Sequence, residues 1–229
     1  MLKGKTAVVT GATGGLGKIV VRELLTNGAR VAAMARRPQD LTETTPIAES
    51  IYRGYAADLT DETGVTAAFQ AVQQDFGGID LLVHLLGGYH GGTTVKDTPL
   101  STWRQMMELN LNSAFLCCRA AMQRMAGGKI VAVAAETALA PRTGVAAYAA
   151  AKAGLIALVQ AIAEEGKSIN IQANVLAPGI ILTEANRRAM PKADFGKWVT
   201  PDQIAQTIIF LCSPQADGVT GSVIRMPTR

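Results

Sequence analysis

A short apolar strand pattern, a glycine-rich turn and an amphipathic helix open the chain. The strand pattern covers Lys5–Thr10, Thr10–Gly17 reads T-G-A-T-G-G-L-G, and helical spacing continues through Ile19–Thr26. Glycines at such a turn let the backbone approach a pyrophosphate, which the unpaired N–H groups of the helix N-terminus can bind. The alternative is an ordinary glycine turn. Strand, turn and helix in this order are typical of the start of a parallel nucleotide-binding sheet.

Strand and helix patterns alternate along the rest of the 229 residues. Further strands are predicted at Arg30–Ala35, Ile51–Ala57, Asp80–Leu86, Lys129–Ala135, Ile169–Leu176 and Gly221–Met226. Helices are predicted at Glu62–Phe76, Leu100–Met125, Tyr148–Gly166 and Pro201–Cys212. This alternation predicts an α/β fold with a doubly wound, seven-stranded, mainly parallel sheet. No repeat or linker divides residues 1–229, so we expect one domain. Pro38–Ser50 is short and broken by prolines, which predicts no full crossover helix there.

Composition excludes several classes of protein. Hydrophobic residues make up 48% of the chain and charged residues 17%, so the chain is not disordered. No apolar run reaches the ~18 residues of a membrane span, and the N-terminus lacks the apolar centre of a signal peptide. Three cysteines, Cys117, Cys118 and Cys212, lack disulfide or metal-site spacing, so no metal site is expected. These features predict a cytoplasmic protein that is not bound to a membrane.

The net charge of +4 is modest, and most basic residues are scattered. Nucleic-acid binders usually show a basic stripe with aromatic residues, and none is visible here. We therefore expect no nucleic-acid partner. An anionic small ligand accounts for the imbalance more simply.

The second predicted strand ends in Ala35-Arg36-Arg37. The ribose 2′-hydroxyl of NAD is bound by a carboxylate at this position, whereas the 2′-phosphate of NADP is bound by a cation. A solvated arginine pair at a strand end is the alternative. The absence of an acid favours NADP, acting as NADPH, with NAD as the second candidate.

Tyr148 and Lys152 lie four residues apart in a predicted helix and therefore share one face. A cation within ~4–6 Å favours a phenolate, so such a tyrosine could pass a proton near neutral pH. The alternative is a helical pair that faces solvent. The spacing is common by chance, and the surrounding motifs decide its meaning.

Four motifs in order resemble those of the short-chain dehydrogenase/reductase family. They are Gly11-x-x-x-Gly15-x-Gly17, Asn110, Tyr148-x-x-x-Lys152 and Pro178-Gly179-x-x-x-Thr183. The resemblance covers the whole chain. It implies a Rossmann-type fold and an NAD(P)H-dependent oxidoreductase with a small-molecule substrate.

The resemblance also implies roles for single residues. Tyr148 would donate a proton, Lys152 would lower its pKa, and Asn110 would hold a water beside the lysine. Asp58 would lie beside the adenine, unless it only caps the helix that begins near Asp61. Thr183 would meet the nicotinamide amide. The residues implied for cofactor binding are Gly11, Thr13, Gly15, Leu16, Gly17, Arg36, Arg37, Asp58, Leu59, Gly87, Pro178, Gly179 and Thr183.

The family normally has a carbonyl-polarising serine thirteen residues before the tyrosine, and this chain has Ala135 there. One well-placed donor contributes ~3 kcal/mol to a transition state. Reduction of plain ketones should therefore be poor unless Glu136, Thr137 or a water takes over.

Dihydropteridine reductases, a subgroup without that serine, are similar to this chain in two further stretches. Their A-G-G-W-A-G-G loop corresponds to Leu86–Gly92, L-G-G-Y-H-G-G. Their M-N-R-x-x-M-P-x-A-D-F-x-x-W pattern corresponds to Ala185–Trp198, A-N-R-R-A-M-P-K-A-D-F-G-K-W. The similarity implies a substrate loop at about residues 184–200, and substrate contacts from Tyr89, Ala135 and Asn186. It predicts hydride transfer to quinonoid dihydropterin or another planar, electron-poor acceptor.

Two alternatives to this function remain open. The chain could be an ordinary ketone or 3-oxoacyl reductase, or an NADP-binding regulatory protein that has lost catalysis. His84 is interpreted as a satisfied core residue. Leu100–Met125 and Tyr148–Gly166 carry more apolar surface than one core face can hide, and the family resemblance implies that these helices pair across a two-fold axis, so we expect a homodimer or homotetramer.

Overall fold

The computed structural model describes residues 1–37 and 51–228, and seven parallel strands form one sheet within these residues. The strands are β1 (Thr6–Thr10), β2 (Arg30–Ala35), β3 (Tyr52–Ala56), β4 (Leu81–His84), β5 (Gly128–Val133), β6 (Ile171–Pro178) and β7 (Val223–Met226). Their order in the sheet is β3-β2-β1-β4-β5-β6-β7. Since β1 pairs with β2 on one side and β4 on the other, a crevice forms at their carboxyl ends.

Helices cover both faces of the sheet. They are α1 (Gly15–Thr26), α2 (Glu62–Phe76), α3 (Leu100–Met107), α4 (Ser113–Met122), α5 (Ala146–Glu165), α6 (Glu184–Ala189) and α7 (Pro201–Cys212). Alternate residues of each strand point to opposite faces. Val8, Leu82 and Ile130 therefore face a core formed with α2, α4 and α5, while Val9, Val83 and Val131 face a core formed with α1 and α7. The predicted fold is confirmed.

Element boundaries differ from the predicted ones in a few places. The helix predicted at Leu100–Met125 is interrupted by a π-helical turn at Glu108–Asn112, which places Asn110 in the interior. Single π turns often occur at functional sites. The expectation for Pro38–Ser50 lies outside the described residues.

One helix in the described part of the chain, Ala146–Ile169, is long and apolar enough to cross a membrane. Half of its apolar window is buried inside the protein, as in a core helix. The helix carries Tyr148 and Lys152, and it packs on β6.

Candidate active site

A cleft of about 640 Å³ opens at the carboxyl ends of β1, β2 and β4. Seven of the predicted cofactor-binding residues line it: Gly11, Thr13, Arg36, Arg37, Asp58, Leu59 and Gly87. Residues from distant parts of the sequence therefore meet where a doubly wound sheet binds its ligands. The cleft is large enough for a ligand of nucleotide size.

The glycine turn after β1 depends on two close approaches. Gly11 has a φ of +66°, and a β-carbon there would lie 2.9 Å from the backbone nitrogen of Leu86. A β-carbon on Gly17 would lie 2.2 Å from the Gly11 carbonyl oxygen. Both positions require glycine, and the first turn of α1 can thus lie directly against the loop. The residues present fit a dinucleotide whose pyrophosphate sits at the N-terminus of α1.

The remaining predicted cofactor residues lie beside the cleft. Gly15 packs against Thr183, since a β-carbon on Gly15 would lie 3.2 Å from the Thr183 side chain. Gly179 lies against Thr228 near the C-terminus. Leu16 packs on the core shared with α1 and α7, and Pro178 is buried at the end of β6. The structure thus brings Thr183 to the glycine turn.

Arg36 and Arg37 are exposed at the end of β2 and face Asp58 across the cleft. Thr60 donates two hydrogen bonds to Asp58, 2.6 Å from its hydroxyl and 3.0 Å from its backbone nitrogen. These bonds, together with Arg36, hold the pKa of the Asp58 carboxyl below its ordinary value. The cap of α2 is Asp61, so the alternative role of Asp58 as a cap is wrong.

Tyr148 and Lys152 share one face of α5, but the pKa of Tyr148 is raised, which is opposite to the expected lowering. Burial raises the pKa of Tyr148 to about 12, and Tyr89 acts in the same direction. The Lys152 amine is buried and donates to the Val133 carbonyl at 2.9 Å. Burial lowers the pKa of Lys152 to about 8. The raised pKa of Tyr148 follows from burial, because removal from water disfavours the charged phenolate.

Asn110 and Lys152 meet at Gly87. A β-carbon on Gly87 would lie 2.7 Å from Asn110 Oδ1 and 3.0 Å from Lys152 Nζ. The Asn110 amide, however, bonds the backbone of Gly88 and donates to the Met106 carbonyl at 3.1 Å. Asn110 therefore holds the glycine loop, and its role in holding a water beside Lys152 stays a prediction.

Tyr89 stands over the site on the glycine loop. It is 66% exposed, and its ring meets the ring of Tyr148 edge-on with centroids 5.2 Å apart. Gly91 leaves room for its hydroxyl, and Gly92 donates to the Gly144 carbonyl at 2.8 Å. The loop is thus tied to the segment before α5.

Ala135 ends the β5 segment with a buried methyl group. The following turn, Glu136–Ala138, packs on α5. Glu136 is bonded to Arg225 of β7 at 2.8 Å, so its carboxylate is engaged. The Thr137 hydroxyl is buried and has no hydrogen-bond partner within the described residues.

Residues 184–200 form a loop outside the sheet. It leaves after Thr183 and returns at Val199, whose backbone bonds Ile180 and Leu182. Asn186 donates its amide to the Ile181 carbonyl at 2.8 Å. Asn186 therefore fixes the start of the loop, and its contact to substrate stays a prediction.

Sequence reasoning missed several residues around the site. Among them, Gln105, Glu108 and Leu109 line the cleft from α3 and the π turn, and Thr10 is hydrogen-bonded to His84. Helical spacing gave no sign of the π turn that carries Glu108 and Leu109. The position of Thr10 at the end of β1 was the one available signal.

Comparison with known proteins decides the family. A sequence model described as short chain dehydrogenase matches residues 5–194. This chain belongs to the short-chain dehydrogenase family. D-threitol dehydrogenase of Mycolicibacterium smegmatis is 32% identical over 96% of this chain and 90% of its own length. A 3-oxoacyl-(acyl-carrier-protein) reductase of Vibrio cholerae is 30% identical over 98% and 96%.

Solved structures agree with this assignment. A 3-ketoacyl-(acyl-carrier-protein) reductase from Brucella melitensis, complexed with NADH, matches with a TM-score of 0.87 and 27% identity over 100% of this chain and 98% of that one. A putative gluconate dehydrogenase from Agrobacterium tumefaciens matches with a TM-score of 0.89 and 30% identity over 98% and 95%. This short-chain dehydrogenase is an NAD(P)H-dependent oxidoreductase.

Proposed function

We propose that this short-chain dehydrogenase uses NADPH to reduce a planar, electron-poor acceptor such as quinonoid dihydropterin or a quinone. This proposal rests on the side chains that surround Tyr148. Ala135 contributes only a methyl group at the end of β5, and Tyr89 places an exposed aromatic ring edge-on to the Tyr148 ring. Such a site can stack and protonate a flat acceptor without polarising a carbonyl.

Arg36 and Arg37 support the choice of NADPH. Both guanidinium groups are exposed on the cleft, at the end of the strand where cations serve a 2′-phosphate. Gly11 and Gly17 would admit the pyrophosphate, and Thr183 would contact the nicotinamide side. The bound nicotinamide would supply the hydride. NAD is the second candidate.

Tyr148 is suited to give the proton. Because burial raises its pKa to about 12, the phenol stays protonated at neutral pH, which is the form that reduction consumes. Lys152 lies one helical turn away with its amine buried. Asn110 fixes the loop that carries Tyr89, so the acceptor would lie beside the two tyrosines.

A specific observation favours a second function, reduction of a ketone or 3-oxoacyl group. Two relatives named above are 3-oxoacyl or 3-ketoacyl reductases. The Thr137 hydroxyl is buried without a hydrogen-bond partner in the described part of the chain. Its turn, Glu136–Ala138, packs on α5. This hydroxyl could polarise a carbonyl in place of a serine at position 135.

Steady-state rates with NADPH separate the two functions. We expect kcat/KM to be highest for quinonoid dihydropterin or quinones. A much higher kcat/KM for ketones or 3-oxoacyl thioesters would establish the second function instead.

Assembly as a homodimer or homotetramer is also proposed. Trp103 of α3 and Phe115 of α4 are 39% and 46% exposed. The outer face of α5 near Ala153 and Ala157 is small and uncharged. A second copy would cover these side chains, and light scattering at micromolar concentration tests this, since a monomer would contradict it.

The buried thiols fit the cytoplasmic location that we propose.

A further inference from the structure

The turn that follows β6, Gly179–Thr183, is hydrogen-bonded to residues at and just after the end of β7. The Ile180 nitrogen donates to the hydroxyl of Thr228 at 2.9 Å, and the Gly179 nitrogen donates to the Met226 carbonyl at 2.8 Å. Thr228 is half-buried in this contact. The first two nitrogens of the turn therefore depend on acceptors from a distant part of the sequence.

Gly179 is the residue that lets Thr228 come this close. A β-carbon on Gly179 would lie 2.2 Å from the Thr228 hydroxyl oxygen and 2.5 Å from the Thr228 backbone nitrogen. Both separations are far below the contact distance of a carbon atom, so any larger residue would push Thr228 away. The glycine of the Pro178-Gly179 motif therefore serves a contact within the protein.

The sheet fixes the position from which Thr228 acts. Met226 is paired with Pro178 in the register of β6 and β7. Arg225 donates to Glu136 at 2.8 Å, which ties the end of β7 to the turn after β5. Thr228 follows this anchored strand by two residues. Its hydroxyl is therefore an acceptor with a defined place relative to the sheet.

The position of Thr183 depends in turn on Ile180. The Ile180 carbonyl accepts from the Val199 nitrogen at 2.9 Å, and the Leu182 nitrogen donates to the Val199 carbonyl at 2.8 Å. Thr183 comes next, and a β-carbon on Gly15 would lie 3.2 Å from its side chain. A displacement of Ile180 would therefore displace Thr183 at the glycine turn, where the nicotinamide amide is expected.

We propose that Thr228 is a positioning residue for the nicotinamide half of the cofactor, and that it acts on Thr183 through the Ile180 amide. The inference rests on the contact between Thr183 and the nicotinamide side that the proposed function assumes. The adenosine half would lie at Arg36 and Asp58, on the opposite side of β1 from β6. Loss of the Thr228 hydroxyl should therefore weaken binding of one half of the cofactor only.

Thr228→Val in the full chain tests this split. We expect the Kd for NADPH to rise by about 3–10-fold, as for the loss of one ordinary hydrogen bond. The Kd for adenosine 2′,5′-bisphosphate, which lacks the nicotinamide, should stay unchanged. Thr228→Ser keeps the hydroxyl and should bind NADPH like the wild type. If the wild type prefers NADH, NADH and ADP-ribose replace these two ligands. Unchanged cofactor affinity in Thr228→Val, or an equal loss for cofactor and fragment, would overturn the proposal.

Thr220→Val is the matched control for a purely structural role. The Thr220 hydroxyl also accepts from a backbone nitrogen, that of Ala173 at 3.1 Å, near the amino end of β6. Both substitutions should lower the urea midpoint, because each leaves a backbone N–H without its acceptor. Only Thr228→Val should raise the Kd for NADPH. An equal rise in both variants would refute the positioning role.

Amide hydrogen exchange of the chain without cofactor provides a test that needs no variant. The Ile180 amide of the wild type should be protected, and in Thr228→Val it should exchange faster while the Ala173 amide is unaffected. Rapid exchange of Ile180 in the wild type would overturn the inference even if Thr228→Val did not fold. None of these measurements uses an acceptor, so a wrong acceptor assignment leaves them unchanged, and Tyr148→Phe tests the proposed function separately.

Discussion

The side chain of Asn110 and the peptide of Gly88 hold each other by two hydrogen bonds. The Gly88 nitrogen donates to Asn110 Oδ1 at 3.1 Å, and Asn110 Nδ2 donates to the Gly88 carbonyl at 3.0 Å. Since Tyr89 is the next residue, the π turn in the long helix fixes the aromatic ring that stands over Tyr148. The π turn at Glu108–Asn112 thus orders the glycine-rich loop.

Asn110→Ala should loosen this loop and weaken the fold. We expect the free energy of unfolding to fall by ~1–3 kcal/mol, because buried backbone groups lose their partner. We also expect kcat to fall by about 10–100-fold, because Tyr89 loses its position. Gln206→Ala is the control, since Gln206 carries an exposed amide on α7, away from the glycine loop. Urea unfolding and steady-state kinetics provide the measurements, and an equal response of both variants would contradict the assignment.

The sheet could be predicted from sequence because each strand has an apolar pattern in its own residues. The second strand was predicted with the observed bounds, Arg30–Ala35, since the five residues after Arg30 are all apolar. The glycine turn was predicted from the spacing of its glycines, which lets the backbone approach a ligand closely. These features depend on neighbouring residues, and so a single sequence reveals them.

The parts of the site that could not be predicted depend on distant residues. Thr10 and His84 lie 74 positions apart, and their bond exists only because β1 and β4 pair in register. The direction of the Tyr148 pKa shift depends on burial, which the spacing to Lys152 does not report. The π turn was missed because one extra residue per turn hardly alters a helical pattern over 26 positions.

Arg36→Asp should move cofactor preference toward NADH. An arginine bond to a phosphate contributes about 1.5–3 kcal/mol, so the Kd for NADPH should rise by roughly 10–100-fold. Lys167→Asp makes the same charge change far from the cleft, in a surface pair with Glu164, and should leave both affinities unchanged. Fluorescence titration with both reduced cofactors measures the effect. Tighter binding of NADH by the wild type would show that the preference is wrong.

Lys152→Met should stabilise the protein at pH 7 while it impairs turnover. The folded pKa of Lys152 is about 8, below the ordinary value of 10.5, so at pH 7 the folded state carries a buried ammonium at a cost. Between pH 8 and 10.5 the unfolded state binds more protons, and wild-type stability rises with pH relative to the variant. We expect an advantage of ~1–3 kcal/mol for Lys152→Met at pH 7 that shrinks by pH 10.

Urea unfolding at both pH values measures this difference. Lys167→Met, at an exposed position, should show no such pH dependence. A constant difference between wild type and Lys152→Met from pH 7 to 10 would mean that the amine keeps its ordinary pKa.

Tyr148→Phe should lower kcat by about 10²–10⁴-fold, since it removes the proton donor, while NADPH affinity stays unchanged. Tyr52→Phe is the control, because the Tyr52 hydroxyl is buried on β3 without a hydrogen-bond partner among the described residues. Rates with the best acceptor and cofactor titrations are compared. A Tyr148→Phe enzyme with most of its rate would place the proton donor elsewhere.

The acceptor itself is tested by three variants that separate a stacking site from a carbonyl site. Tyr89→Ala removes the ring over Tyr148, Thr137→Val removes the buried hydroxyl, and Ala135→Ser adds a hydroxyl at the end of β5. For a flat acceptor, Tyr89→Ala should lower kcat/KM by about 3–10-fold, as expected for the loss of an aromatic contact. Thr137→Val should then have no effect, and Ala135→Ser should raise activity on simple ketones.

The ketone function predicts the opposite pattern. Loss of a carbonyl-polarising donor costs about 10²–10³-fold in kcat, so Thr137→Val should nearly abolish ketone reduction while Tyr89→Ala leaves it intact. Tyr89→Phe keeps the ring without its hydroxyl and should match the wild type if stacking is the function of the ring. Steady-state rates on quinonoid dihydropterin and a 3-oxoacyl thioester, measured for each variant, therefore assign the acceptor, because the two functions depend on different side chains around the same phenol.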